Sequence, residues 1–572
     1  MRTRSKALLV VGILVAVLLG SSLAVIGGVW LAARWVPKNA LLLVDVAGPL
    51  PERVDESPFG ELFGPRVVSL AELRGALVRA AKDPGVRAVR VRVGELGAGF
   101  AAIQEVRSLL LAVSNAGKPT SAFLETAGEG GPGNLQYYLA SACDTVTLGP
   151  LGDVNLVGLA SRAPFIRGTL DKLEIVPEFE GIGDYKTARF LFTEKDHTPA
   201  SREMTTWLLQ SLSAQMAADI AAARKLKVEA ARELVARGPY SGEEALAAGL
   251  VDRIEDWHTF ADRVASQDGV ELSPVRLRRY LRAGRAYSSG AKVAVVLAEG
   301  AIMRGESGFS PVPLFGGDVM GSDTIARAFR QVQQDRPKAV IFRIDSGGGS
   351  ATASEIIRQE MLRTAKDIPV VVSMSNVAAS GGYWITCGAS KVLADRGTIT
   401  ASIGVFSGHF ATEQFWRNKL GVTFGKVDTT PNATAFGDVG PWTAEQRALT
   451  QKWIGHIYDQ FLDRVSEARK MTREQVDAFG RGRVFTGEQA HERGLVDALG
   501  DMNAAVAEAR ALAKLAPEAD VQLVYYPRLK PLWKRMLERD DETARLRAAV
   551  EALATGHIAV PGPVWLPPIE IR

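Results

Sequence analysis

The chain has 572 residues, 47% of them hydrophobic and 23% charged, with 68 basic against 64 acidic side chains. That length exceeds what one hydrophobic core serves, so two or more domains are expected, and the near-balance of charge argues against nucleic-acid binding. Two cysteines, Cys143 and Cys387, are too few for a disulfide framework and have no metal-ligand spacing, which leaves one bridge between them open.

In chain order, residues 1–6 form a short basic tail with Arg2, Arg4 and Lys6. Ala7 to Ala33 is a run of 27 residues without a charge, with Trp30 and Trp35 at the far end. A helix needs about 20 apolar residues to cross a hydrocarbon core, so 7–33 is expected to be a transmembrane anchor. The positive-inside rule places the tail in the cytoplasm and the body of the chain outside. A cleaved signal peptide is the rival reading, but its apolar region is usually only about 7 to 15 residues. Either way the body is exported.

Beyond the anchor the sequence repeats itself. "SGEEALAAGLVD" from Ser241 returns as "TGEQAHERGLVD" from Thr486, "YYLASACDTVTLGP" from Tyr137 as "YWITCGASKVLADR" from Tyr383, and "AVRVRV" from Ala88 as "AVIFRI" from Ala339. The offsets, 245, 246 and 251, keep the order of elements and allow for small loop insertions. This is one domain duplicated in tandem, with copies over 40–285 and 291–510, followed by 511–572.

Each copy reads as alternating strands and helices. In the second, the short strand "KVAVVLA" (Lys292 to Ala298) precedes the helical pattern "SDTIARAFRQVQQD". The strand "AVIFRI", a glycine loop, the helix "TASEIIRQEMLRTAK" and the strand "PVVVSM" follow. Apolar runs of this length between helical stretches indicate βαβ units and a mostly parallel sheet, an α/β fold whose site is built by loops at the strand C-termini. Two such loops are glycine-rich: "DSGGGS" (Asp345 to Ser350) and "NVAASGG" (Asn376 to Gly382).

Ser380, flanked by small residues ahead of a helix N-terminus, is the candidate nucleophile. The N–H groups of Gly381 and of Gly348 or Gly349 are candidate oxyanion donors. A serine needs a base. Of the six histidines, His197, His258, His409, His456, His491 and His557, His409 alone is expected near these loops. There is no GxSxG elbow around Ser380. A lysine kept neutral by burial remains, and the physics of the sequence does not choose which.

The segment "AASGGYWI", the downstream "TITASIGVF" (Thr398 to Phe406), the loop "DSGGGSATASEIIR" and the N-terminal anchor together resemble peptidase family S49, in its long, duplicated signal peptide peptidase A form. The likeness runs from about Ala40 to Arg510. It implies two tandem ClpP/crotonase-like domains and a membrane-anchored serine endopeptidase with a Ser/Lys dyad. Ser380 matches the nucleophile, Lys186 in "GIGDYKTARFLF" the general base, and Ser402 the serine that orients the amine. Neither metal nor cofactor is implied. The implied substrates are apolar peptides, remnant signal peptides above all. A homotetramer is implied too, in the bacterial inner membrane with its body on the extracytoplasmic side.

Under the repeat, Ser380 falls on Asn134 and Lys186 on Asn432, with Lys426 the nearest lysine. Each copy therefore keeps one member of the dyad, and a working site requires the two to pack together. Gly347 stands where the family usually has proline, so a more mobile oxyanion loop is expected. Leu523 to His557 reads as an amphipathic basic stretch and helix, ahead of a Pro-rich tail. Rival readings are acyl-CoA hydration, which predicts a glutamate that these loops lack, a non-catalytic membrane scaffold with Ser380 as an N-cap, and a related membrane serine protease acting on membrane-protein segments.

Overall fold

The computed structural model describes residues 36–54, 67–267, 269–310, 317–435, 437 and 439–528. The expected anchor, the 1–6 tail and the Pro-rich tail lie outside them. Among the described residues no helix is long and apolar enough to cross a membrane.

The first half holds strands β1 (Ala40–Gly48), β2 (Val86–Leu96), β3 (Thr120–Leu124), β4 (Thr145–Leu148), β5 (Val176–Gly181), β6 (Arg253–Ile254) and β7 (Ser273–Arg276). All but β5 make one parallel sheet in the order β6-β4-β3-β2-β1-β7. Its helices include α1 (Leu70–Lys82), α2 (Phe100–Asn115), α3 (Asn134–Ala140) and α4 (Pro199–Arg224).

In the second half, β8 (Ala291–Glu299), β9 (Ala339–Ser346), β10 (Val370–Ala379), β11 (Lys391–Ala394) and β12 (Ile399–Ala401) are followed by β13 (Phe406–Ala411), β14 (Val484–Thr486), β15 (Ala498–Leu499) and β16 (Val521–Tyr526). The sheet runs β14-β12-β10-β9-β8-β16, with β11 beside β10 and β15 beside β11, and only the β12–β14 pair is antiparallel. Its helices include α5 (Ser322–Asp335), α6 (Ala351–Ala365), α7 (Gly381–Trp384) and α8 (Ala444–Arg469). The first six residues of β9, Ala339 to Ile344, are buried without a break, as befits an interior parallel strand covered on both faces. In α5, Ile325, Ala328, Phe329 and Val332 fall on one buried stripe at helical spacing.

The repeated motifs perform the same work twice. Ser241 with Glu244 and Thr486 with Gln489 form capping boxes on equivalent short helices. Tyr137 Oη donates to Leu250 O at 2.8 Å and Tyr383 Oη to Leu495 O at 2.6 Å. Asp252 Oδ2 and Asp497 Oδ2 accept from Val146 N–H and Val392 N–H, both at 2.7 Å. Cys143 and Cys387 are both buried free thiols.

One expectation needs correction. Residues 523–526, expected to open an amphipathic stretch, belong instead to β16, which pairs in parallel with β8 along "VQLVYY". The β-branched and aromatic run "VQLVYY" suits a strand, with Val521 and Tyr526 buried, and the second sheet therefore extends past Arg510.

The halves are joined in two ways. Strand β5 leaves the first sheet and pairs antiparallel with β13, register Gly181↔Phe406 through Val176↔Ala411. Elsewhere Arg74 of α1, Glu105 of α2, Glu52 and Arg343 of β9 form a fully buried network across the contact. Asn376, at the end of the second sheet, accepts from Ala102 N–H at 3.0 Å and so caps α2 of the other half.

Candidate active site

Ser380 sits where β10 turns into α7. Its backbone has φ 54° and ψ −120°, a left-handed conformation that costs a non-glycine residue free energy and throws the side chain out of the turn. The turn is held by Ser380 N–H donating to Ala401 O at 2.7 Å and by Tyr383 and Trp384 N–H groups donating back to Ser380 O. A strained strand-to-helix elbow is thus present without the GxSxG sequence that normally announces one.

Lys186 follows β5, and the β5–β13 pairing carries it from the first half to the serine of the second. Its Nζ lies 3.0 Å from Ser380 Oγ, 3.0 Å from Ser402 Oγ and 3.1 Å from Ser402 O. The side chain is buried, and burial pushes the amine down from its ordinary value to about 7. A neutral amine at that distance is able to take a proton from the hydroxyl. Ser402 has φ 54° and follows Ala401 at φ 66°, so two left-handed residues in succession aim both its oxygens at Nζ.

Two glycine loops face Ser380. Gly348 N–H donates to Ser346 Oγ at 3.1 Å and Gly348 is buried, so of the three expected oxyanion donors Gly348 is already occupied. Gly349 and Gly381 remain, and a Cβ on Gly381 would stand 3.0 Å from Gly349 N, which puts the two N–H groups side by side. The loop that carries Gly347 is tied to residue 302 by two hydrogen bonds, Ile302 N–H donating to Gly348 O and Ser350 N–H to Ile302 O, both at 2.9 Å.

Comparison with known proteins places the chain in a family. The Peptidase family S49 model matches residues 113–271 and 363–516. "Protease 4" of Haemophilus influenzae is 32% identical over 518 residues, covering 84% of this chain and 80% of its own. The chain belongs to peptidase family S49. "Protease 4" of Salmonella typhi is 33% identical over 473 residues, 78% of this chain and 72% of that protein. "Serine protease SPPA, chloroplastic" of Arabidopsis thaliana is 29% identical over 472 residues, 80% and 68%. Among solved structures, a membrane-bound stomatin-specific protease aligns over 44% of this chain and 96% of its own at 18% identity, with a TM-score of only 0.26.

The S49 chain thus brings together Ser380, Lys186, Ser402, Gly349 and Gly381. His409 has other partners: its Nε2 is 3.0 Å from Glu178 Oε2 and its ring stacks on Trp442. Asn134, at the position equivalent to Ser380, accepts from Val157 and Gly158 N–H groups and donates to Gly158 O, so it straps a loop. Lys426 is half exposed and pairs with Asp428. Sequence reasoning missed Gly482, which has φ 85° and where any Cβ would run into the Lys186 backbone. It also missed Gly183, whose Cβ would strike the backbone of Arg481. Both lie in short glycine-bearing turns whose partners are some 300 residues away in sequence, and neither signals by pattern that a chain passes this close.

Proposed function

We propose that the protein is a membrane-anchored serine endopeptidase that uses a Ser380/Lys186 dyad to degrade released signal peptides and other apolar peptides. The observation that carries this reading is a buried amine from one half 3.0 Å from a strained hydroxyl of the other. In the proposed mechanism Ser380 Oγ attacks the peptide carbonyl carbon while neutral Lys186 Nζ takes the hydroxyl proton. The oxyanion is held by the Gly349 and Gly381 N–H groups, and losing one such donor typically costs about 2.7 to 4 kcal/mol. The ammonium then gives its proton to the departing amine. Water, deprotonated by the regenerated amine, hydrolyses the acyl-serine. Ser402 Oγ and O keep the amine pointed at Ser380 throughout.

The uncharged run from Ala7 to Ala33 supports anchoring, with the site held near the bilayer where apolar peptides concentrate. The same reading takes the 40–285 and 291–510 copies as its two domains, the second extended to β16, and carries assembly as a homotetramer, which light scattering on the detergent-solubilised chain tests. The dyad is tested by fluorophosphonate labelling beside hydrolysis of a synthetic signal peptide. Wild type is expected to label and cleave, with Ser380→Ala and Lys186→Met both silent and folded. Labelling that survives Ser380→Ala would sink the assignment.

A further inference from the structure

The Lys186 segment has contacts beyond the dyad itself, and they converge on one residue. Tyr185 N–H donates to Arg481 O at 3.1 Å, Gly482 lies against the Lys186 backbone, and Arg483 O accepts from Ser402 N–H at 3.0 Å. The Arg483 side chain turns back over the first half, its guanidinium carbon 3.7 Å from the centroid of the Tyr185 ring. Its Nη2 donates to Glu203 Oε1 at 3.0 Å, and the other oxygen of Glu203 accepts from Tyr185 Oη at 3.1 Å. Arg483 therefore touches the residue before the amine through its side chain and the amine's partner, Ser402, through its backbone.

We propose that Arg483 is a positioning residue: its guanidinium, tied down by Glu203 of α4, clamps the Tyr185 ring so that the Lys186 amine stays dry between Ser380 and Ser402. This rests on the dyad reading above. Glu203 is 57% exposed and Arg483 is 21% exposed, and ion pairs with so open a partner add little to global stability, so the clamp acts on local geometry. A planar guanidinium covers an aromatic face in a way an ammonium does not, which makes the residue type specific. The other charged groups on the packed elements are Asp184, the Arg481–Asp477 pair, Arg189 and Glu180 on the lysine's own segment, and Arg493 over the Trp207 ring. None of these accepts a hydrogen bond from the Tyr185 hydroxyl, which goes to Glu203.

The test is fluorophosphonate labelling of the full chain across pH 5 to 10, with thermal melting in parallel. Arg483→Gln is expected to admit water to the amine, moving the labelling midpoint up by about one pH unit and slowing labelling at neutral pH about five-fold. The melting temperature should be nearly unchanged. Arg483→Lys should rescue only partly, and Tyr185→Phe, which keeps the ring, should shift the midpoint less. If Arg483→Gln does not fold, the Glu203→Gln/Tyr185→Phe pair interrogates the same clamp. An unmoved midpoint, or a rate loss that simply follows the melting temperature, overturns the proposal. A wild type that fails to label at Ser380 removes the dyad and the clamp together, whereas normal wild-type labelling with an unmoved variant removes the clamp alone.

Discussion

A lysine whose amine is pushed down to about 7 opposes folding wherever the unfolded chain would hold its proton. The folded value lies below the unfolded one, so between about pH 7 and 10.4 the unfolded state binds more protons and stability rises with pH; at neutral pH and below the cost is at its fullest, roughly 4 kcal/mol. Lys186→Met removes that cost but leaves the Ser380 and Ser402 hydroxyls each short of a partner worth about 1 kcal/mol. The variant is therefore expected to be inactive yet about 2 kcal/mol more stable than wild type at pH 6, with the gain gone by pH 10. Urea unfolding at the two pH values measures it, and a variant less stable at pH 6 would contradict the buried amine. The same shift gives the sign for catalysis: the neutral amine is the competent form, so peptide hydrolysis should rise with pH through about 7 and level off above it. A pH–rate profile still rising steeply at pH 9 would mean a solvated lysine.

At the scale of elements, the site depends on where β5 and the 480–483 turn bring the chain together. Gly482 allows Lys186 to pass at backbone contact, so Gly482→Ala must push the lysine away or distort the turn, and its φ of 85° resists any side chain. Since an error of about 1 Å in a reacting group is able to cost about 100-fold, labelling should fall by that order while melting shifts far less. Near-normal labelling would show that the turn yields easily.

These same elements show what the sequence reveals. Helices α5 and α6 and strands β8, β9 and β10 follow from periodicity, because each buries its own apolar face within one core. The pairing of β5 with β13 does not follow. "VPEFEG" and "FSGHFA" are short, mixed in polarity and some 230 residues apart, and what makes them strands is each other. Ser380 is legible from its small neighbours, whereas Lys186 emerges only through the family likeness, since desolvation is a property of the assembled contact. The misassigned 523–526 segment fails for the same reason, as a strand edge is defined by the β8 neighbour it meets.

For the whole molecule, the question is what makes the two halves dock in one register, since half a dyad in each is useless without it. The buried quartet offers an answer. Arg74 binds Glu105 through Nε at 2.9 Å and Nη2 at 2.5 Å and Glu52 at 2.8 Å, while Arg343 from the other half binds Glu105 at 2.7 Å and Glu52 at 3.1 Å. Burial works to raise both carboxyls; at Glu52 the two guanidiniums outweigh it and bring it down to about 2, whereas at Glu105 burial prevails and the carboxyl is held above its ordinary value. Two cations and two anions leave the cluster neutral only when the halves are together. Arg343→Met keeps the volume but strands a carboxylate charge, and breaking such a pair costs about 3 to 5 kcal/mol. Arg343→Met/Glu52→Gln restores neutrality around the remaining Arg74–Glu105 pair and should recover more than half of that loss. Denaturant unfolding of wild type, single and double variants measures both steps, and Ser380 labelling should fall and return with them. A double variant no better than the single would mean that the halves are registered by apolar contact and strand pairing alone, with the charges merely tolerated between them.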